Sequence, residues 1–162
     1  MKKTLFILLF PLLAVSCGGR IAETKQLLSE DYASGHPDWI VQDNLFSDTL
    51  TFNLNEKRAI DFEVRWTVAL DTTALGSFDP VYRIASIEID QLAAPRNTRI
   101  DEVKVLMSAA DGADEEGRRF EYANIFMSGK SGSSTFHNNL AIINGLGGSQ
   151  KSLDFTDFDS GQ

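Results

Sequence analysis

Ile60-Asp61-Phe62-Glu63-Val64-Arg65-Trp66-Thr67-Val68-Ala69-Leu70 decides the fold of this chain. Every even position carries a large apolar side chain, and Asp61, Glu63, Arg65 and Thr67 stand between them. Side chains on a strand change face at each residue, so the run predicts a β-strand with one dry face, Ile60 to Leu70, and one wet face. A helix would scatter the same six side chains around its circumference. Burying them is worth roughly 9–18 kcal/mol. Ordering eleven backbones costs about 1–2 kcal/mol per residue, a similar sum. The strand therefore requires a second layer over its dry face.

Neighbouring stretches read the same way. Asp38–Gln42 and Thr49–Leu54 suggest short strands, and the polar Asn55-Glu56-Lys57-Arg58 a hairpin turn into Ile60. Residues 71–80 hold Gly76, Pro80 and two aspartates, a loop long enough to cross between sheets. Over Val81–Leu92 the apolar set shifts parity between Ile84 and Ile87, which calls for a β-bulge near Ala85-Ser86. Further strands fall at Val103–Met107 and at Arg119–Ser128, the latter with Phe120, Tyr122, Asn124 and Phe126 on one side. Phe136–Ile143 fits a helix through Phe136, Leu140 and Ile143, or a strand through Phe136, Leu140 and Ile142; the strand agrees with its neighbours. Leu153–Asp159 supplies a last edge strand. Seven or eight short strands predict an all-β, antiparallel β-sandwich of immunoglobulin-like or jelly-roll kind.

The N-terminus carries an address. Lys2 and Lys3 precede an apolar run, Leu5 to Val15, too short to cross a bilayer and suited to an export signal. It ends in Ala14-Val15-Ser16-Cys17-Gly18. These residues resemble the lipobox of bacterial lipoprotein precursors, although Ala14 stands where leucine is commoner. The resemblance covers about the first twenty residues and implies removal of 1–16 and acylation of Cys17, the only cysteine. Small residues at Ala14 and Ser16 also satisfy ordinary signal cleavage. A lone thiol in an exported chain, however, has no internal disulfide partner, and acylation accounts for it. In the enterobacterial members an aspartate after the cysteine retains the protein at the inner membrane. Gly18 implies instead an outer-membrane anchor, and the lack of an acidic cluster after it implies a periplasm-facing one. The expected organisation is then signal (1–16), lipidated N-terminus and tether (17–37, with Arg20–Gly35 a spacer or a helical turn or two) and sandwich (38–162).

Charge and motifs narrow the function. Residues 1–16 hold two lysines and no acid, which leaves 13 basic and 23 acidic residues, net −10. Such a surface repels phosphate backbones, so nucleic acid is excluded as partner and close binding of anionic headgroups is not expected without cations. Gly129-Lys130-Ser131 lacks the upstream glycine of a phosphate loop, and Ser133 replaces the second glycine of a nucleophile elbow. Two histidines, His36 and His137, do not make a zinc site. Asp111/Asp114/Glu115/Glu116 and Asp154/Asp157/Asp159 are acidic, yet neither has calcium-loop spacing. No cofactor or catalytic set is called for. Trp39, Tyr32 and Phe78, in or near loops, form a candidate platform for stacking on sugar, while Trp66 belongs to the core. The sequence thus favours a non-enzymatic envelope lipoprotein that binds or scaffolds another envelope protein. A carbohydrate-binding module is the alternative.

Overall fold

The computed structural model describes residues 20–55, 58–73, 79–108, 112–151 and 158–159; the stretch expected to be an export signal, Cys17 and Phe78 lie outside them. Among the described residues eleven strands follow one another: β1 (Arg20–Asp31), β2 (Ile40–Asn55), β3 (Arg58–Asp71), β4 (Val81–Pro95), β5 (Thr98–Met107), β6 (Gly112–Ala113), β7 (Arg119–Phe120), β8 (Tyr122–Ser131), β9 (Ser134–Asn144), β10 (Ser149–Lys151) and β11 (Phe158–Asp159). Seven are long, and the four of two or three residues account for the excess over the seven or eight expected. A 3-10 turn, Ala33–Gly35, is the sole helical piece among the described residues.

The strands form two sheets. The first runs β2-β3-β4-β7-β6, with β1 also on β4; the second runs β10-β9-β8-β5, with β11 also on β9. All pairings are antiparallel except β4 with β7. The long strands group by sheet in chain order, unlike the interleaved strands of an immunoglobulin domain. β1 lies beside β4 while β2 lies at the far edge, so the first four make a Greek key.

The core sits between the sheets. Ile60, Phe62, Val64, Trp66 and Val68 of β3 are fully or almost fully buried and meet Ala123, Ile125, Met127, Phe136, Ala141 and Ile143 of the second sheet. Phe52 packs on Phe136 with ring centroids 5.7 Å apart. The Trp66 indole N–H donates to the Asn144 carbonyl oxygen across the sandwich, 3.1 Å. On the wet face Arg65 holds Glu63, Glu88 and Asp90 at 2.7–2.9 Å. The dry face of the deciding run is therefore dry as far as Val68, whereas Leu70 is half-buried and Ala69 takes the buried place.

Several local expectations hold. The β2–β3 hairpin pairs Phe52 with Ile60 and Leu50 with Phe62. The bulge lies where the parity shift puts it: Thr67 pairs with Ser86 and Val68 with Ile84, leaving Ala85 over. Phe136–Ile143 is strand. Leu140 is skipped between the Ile125–Ala141 and Phe126–Asn139 pairs, so the buried set changes from Phe136 to Ala141 and Ile143.

Other expectations are corrected. Arg20–Gly35 is not a spacer: β1 occupies most of it and pairs with β4 from Arg20–Pro95 to Asp31–Ser86. Ile40–Gln42 and Thr49–Leu54 belong to one strand, β2, while Asp38 and Trp39 precede it. Residues 71–80 do not cross between sheets, because β3 and β4 are neighbours. The first crossing is the turn Arg96-Asn97, where Asn97 takes φ 61°, a left-handed conformation that asparagine tolerates; the chain crosses again from β5 to β6 and from β7 to β8. In β8 Tyr122, Asn124 and Phe126 do share a side, which is half-buried, and the buried side is that of Ala123, Ile125 and Met127.

Candidate functional site

The outer edge of β4 is covered in two pieces with a gap between them. β7 pairs with Val81 and Tyr82, and β1 begins its pairing at Ser86. Main-chain groups between them need partners, because a buried orphan costs as much as a lost hydrogen bond. The Tyr32 N–H donates to the Ala85 carbonyl oxygen, 2.8 Å, and the Ile84 N–H donates to Glu121 Oε2, 3.1 Å. A side-chain carboxylate thus replaces a strand carbonyl. Glu121 also donates its N–H to the Tyr82 carbonyl oxygen, 2.9 Å, and accepts from the Gly145 N–H, 2.8 Å. It bonds both sheets, and it is 6% exposed.

The segment from Asp31 to Trp39 folds over this gap. Asp31 Oδ1 accepts from the Ser34 N–H at 3.2 Å; the His36 N–H closes on Ala33 and the Trp39 N–H on His36. Beneath it lies a cavity of about 370 Å³ lined by His36, Asp38, Trp39, Asp71, Thr73, Arg83 and Glu121. The His36 ring stacks on the Trp39 indole at 4.0 Å, 5° from parallel, and the Arg83 guanidinium lies over the indole at 5.7 Å.

The carboxylates are largely engaged. Asp71 Oδ1 accepts from Thr73 N–H and Oγ1–H at 3.0 and 2.9 Å, and Oδ2 accepts from Arg83 at 3.1 Å. Burial pushes Asp71 up, but the Thr73 donors and Arg83 outweigh it and hold the carboxyl below its usual range. Glu121 goes the other way: burial raises it more than Ile84 N–H, Arg83 and His36 lower it. Tyr32 is raised by burial, then by Glu30 and Glu121. Three carboxylates against one guanidinium make the cavity acidic. Among the described residues no group of three or more His, Cys, Asp or Glu side chains is placed to hold a metal ion. Asp111, Asp154 and Asp157 lie outside those residues, and Asp114 and Glu116 bind Arg118.

Of the residues singled out for sugar stacking, Trp39 lines the cavity, with one ring face taken by His36. Tyr32 is half-buried against the core. Asp71, Arg83 and Glu121 were not anticipated. One signal for Glu121 was present: it shares the parity of Ala123, Ile125 and Met127, so it had to be a charge on a dry face.

Beside the cavity begins β2, an edge strand. Its first residues expose large apolar side chains: Ile40 55%, Val41 55% and Leu45 66%. The β2–β3 register breaks between Val41 and Leu45, which turns this length out of the regular ladder. The chain matches no protein-family model, and no curated protein or solved structure shows significant similarity to it.

Proposed function

We propose that this chain is a cell-envelope lipoprotein, anchored at the outer membrane through acylated Cys17 and facing the periplasm, whose sandwich docks another envelope protein without catalysing a reaction. The observation that carries the docking is the start of β2. An edge strand presents unpaired main-chain groups, and proteins ordinarily blunt such edges with charge or proline. Here the edge bears one charge, Asp43, among three exposed apolar side chains, Ile40, Val41 and Leu45, an apolar surface of the kind that strand addition by a partner uses. The engagement of Asp71 by Thr73 and Arg83, and of Glu121 Oε2 by the Ile84 N–H, favours a structural role for these acids over an acid–base one. Glycan binding draws less support, because a sugar platform needs an open indole face and His36 covers one face of Trp39.

Two measurements test the two halves. Cys17→Ser is expected to move the chain out of the carbonate-washed membrane fraction; retention there refutes the anchor. A tagged chain captured from mild detergent is expected to bring down one stoichiometric protein, lost from the Ile40→Lys/Leu45→Lys variant. Capture of nothing, or of the same protein by the variant, refutes docking at β2.

A further inference from the structure

The cavity beneath the Asp31–Trp39 segment holds one acceptor that has no donor. Glu121 lines it and is only 6% exposed, and its Oε2 is taken by the Ile84 N–H. Among the described residues nothing donates to Glu121 Oε1. Asp71, also buried, differs: Thr73 fills its Oδ1 and Arg83 its Oδ2. Buried carboxylate oxygens are ordinarily hydrogen-bonded, because an unmet one keeps the full cost of its lost water. An acceptor left open on the wall of a cavity is a place for a donor from outside the chain.

We infer that this cavity is a binding site for a primary ammonium group on a short alkyl stem, with Glu121 Oε1 as its acceptor. Charge selects a cation. Asp38, Asp71 and Glu121 line the space against Arg83, which Asp71 already neutralises. Hydrogen bonding selects an ammonium among cations. A guanidinium is held best by two parallel acceptors on one carboxylate, and Glu121 has one to give; an ammonium is a compact donor that a single oxygen meets. A divalent ion needs several oxygens, and no three acids or histidines among the described residues are placed to supply them. Pro37 and Trp39 offer apolar wall for the stem, and about 370 Å³ is ample for a small amine. The site does not rest on the docking proposed for β2.

Isothermal titration calorimetry of the full chain in detergent tests this with pentylamine, and with pentanol as its neutral match. Pentylamine is expected to bind once per chain and pentanol not at all. Glu121→Gln keeps an amide oxygen for the Ile84 N–H and is expected to weaken pentylamine roughly 10–100-fold. Asp38→Asn, at an exposed residue, is expected to weaken it roughly two- to fivefold. Affinity should also fall as pH is lowered through the folded pKa of Glu121. Asp71, Arg83, His36 and Tyr32 act on or feel the same carboxyl, and a protonated His36 repels the amine too. The share of the pH dependence that Glu121→Gln abolishes is therefore the diagnostic one. The peptide acetyl-Gly-Lys-Gly-amide separates two sources of the ammonium: affinity equal to that of pentylamine assigns it to a partner's lysyl side chain, and binding of pentylamine alone to a free amine. Pentanol binding as tightly as pentylamine overturns the inference. So does wild-type affinity in both variants, or no binding of pentylamine. None of these results bears on docking at β2, which capture of a partner protein reads separately.

Discussion

Trp66→Phe is the sharpest probe of how the two sheets are held together. Trp66 is 1% exposed, and its indole N–H reaches the Asn144 carbonyl oxygen on the opposite sheet. Phenylalanine keeps the six-membered ring and deletes the five-membered one. That removes the burial of two to three methylenes, about 2 kcal/mol in all. The Asn144 carbonyl loses its donor, which adds about 1 kcal/mol. The total of about 3 kcal/mol corresponds to a fall in Tm of roughly 6–12 °C for a chain of this size. Urea unfolding followed by far-ultraviolet circular dichroism is the assay, since the substitution also removes a fluorophore. The midpoint should move while the slope stays constant, as it does when stability alone changes. A loss below about 1 kcal/mol would mean that the indole is not enclosed between the sheets, and the cross-sheet bond would have to be abandoned.

Three further substitutions address the junction between the sheets and the cavity beside it. Gly145→Ala would place a methyl group inside the Tyr82 carbonyl oxygen, main chain against main chain, so a cost of about 1–3 kcal/mol is expected in thermal melts; an unchanged Tm would show that the sheets approach less closely. Asp71→Asn is expected to cost about 1–3 kcal/mol, because Arg83 keeps no charged partner there; melts at neutral pH decide it. For Glu121→Gln the pH dependence is diagnostic. The folded carboxyl titrates above its unfolded value of about 4.3, so the native state holds a proton that the unfolded state has released. Wild-type stability therefore falls, relative to the variant, as pH rises from about 4 through the folded pKa of Glu121. Urea midpoints for the two chains that keep a constant separation across that range contradict the burial of this carboxyl.

Much of the sandwich was legible because its signals are local. Alternation fixed β3, the polar turn before Arg58 fixed its hairpin, and the parity change near Ala85 fixed a bulge. What stayed illegible depends on distant partners. β1 carries few apolar residues, with Leu27 and Leu28 adjacent, a pattern that no regular strand shows. A register shift between Gln26 and Leu28 lets both reach the core, and only pairing with β4 makes such a stretch a strand. The skipped Leu140 defeated the helical and the strand periodicity alike. The cavity was hidden for another reason: Asp71, Arg83 and Glu121 are far apart in sequence and meet only because β1 and β7 leave part of the β4 edge to be filled by side chains. Trp39 was found by type, since exposed indoles are uncommon, but its stacking on His36 depends on a turn that sequence spacing does not reveal.

The attachment of β1 has a mechanical consequence. If the chain is held at Cys17 and a partner pulls on the far end, tension enters along the axis of β1. Its bonds to β4, from Arg20–Pro95 to Asp31–Ser86, then carry the load side by side. Antiparallel ladders stressed lengthwise must break many bonds together, whereas strands peeled from one end give way one bond at a time. Such a body would transmit force between a membrane and its partner as a stiff strut, at a height set by the length of a strand.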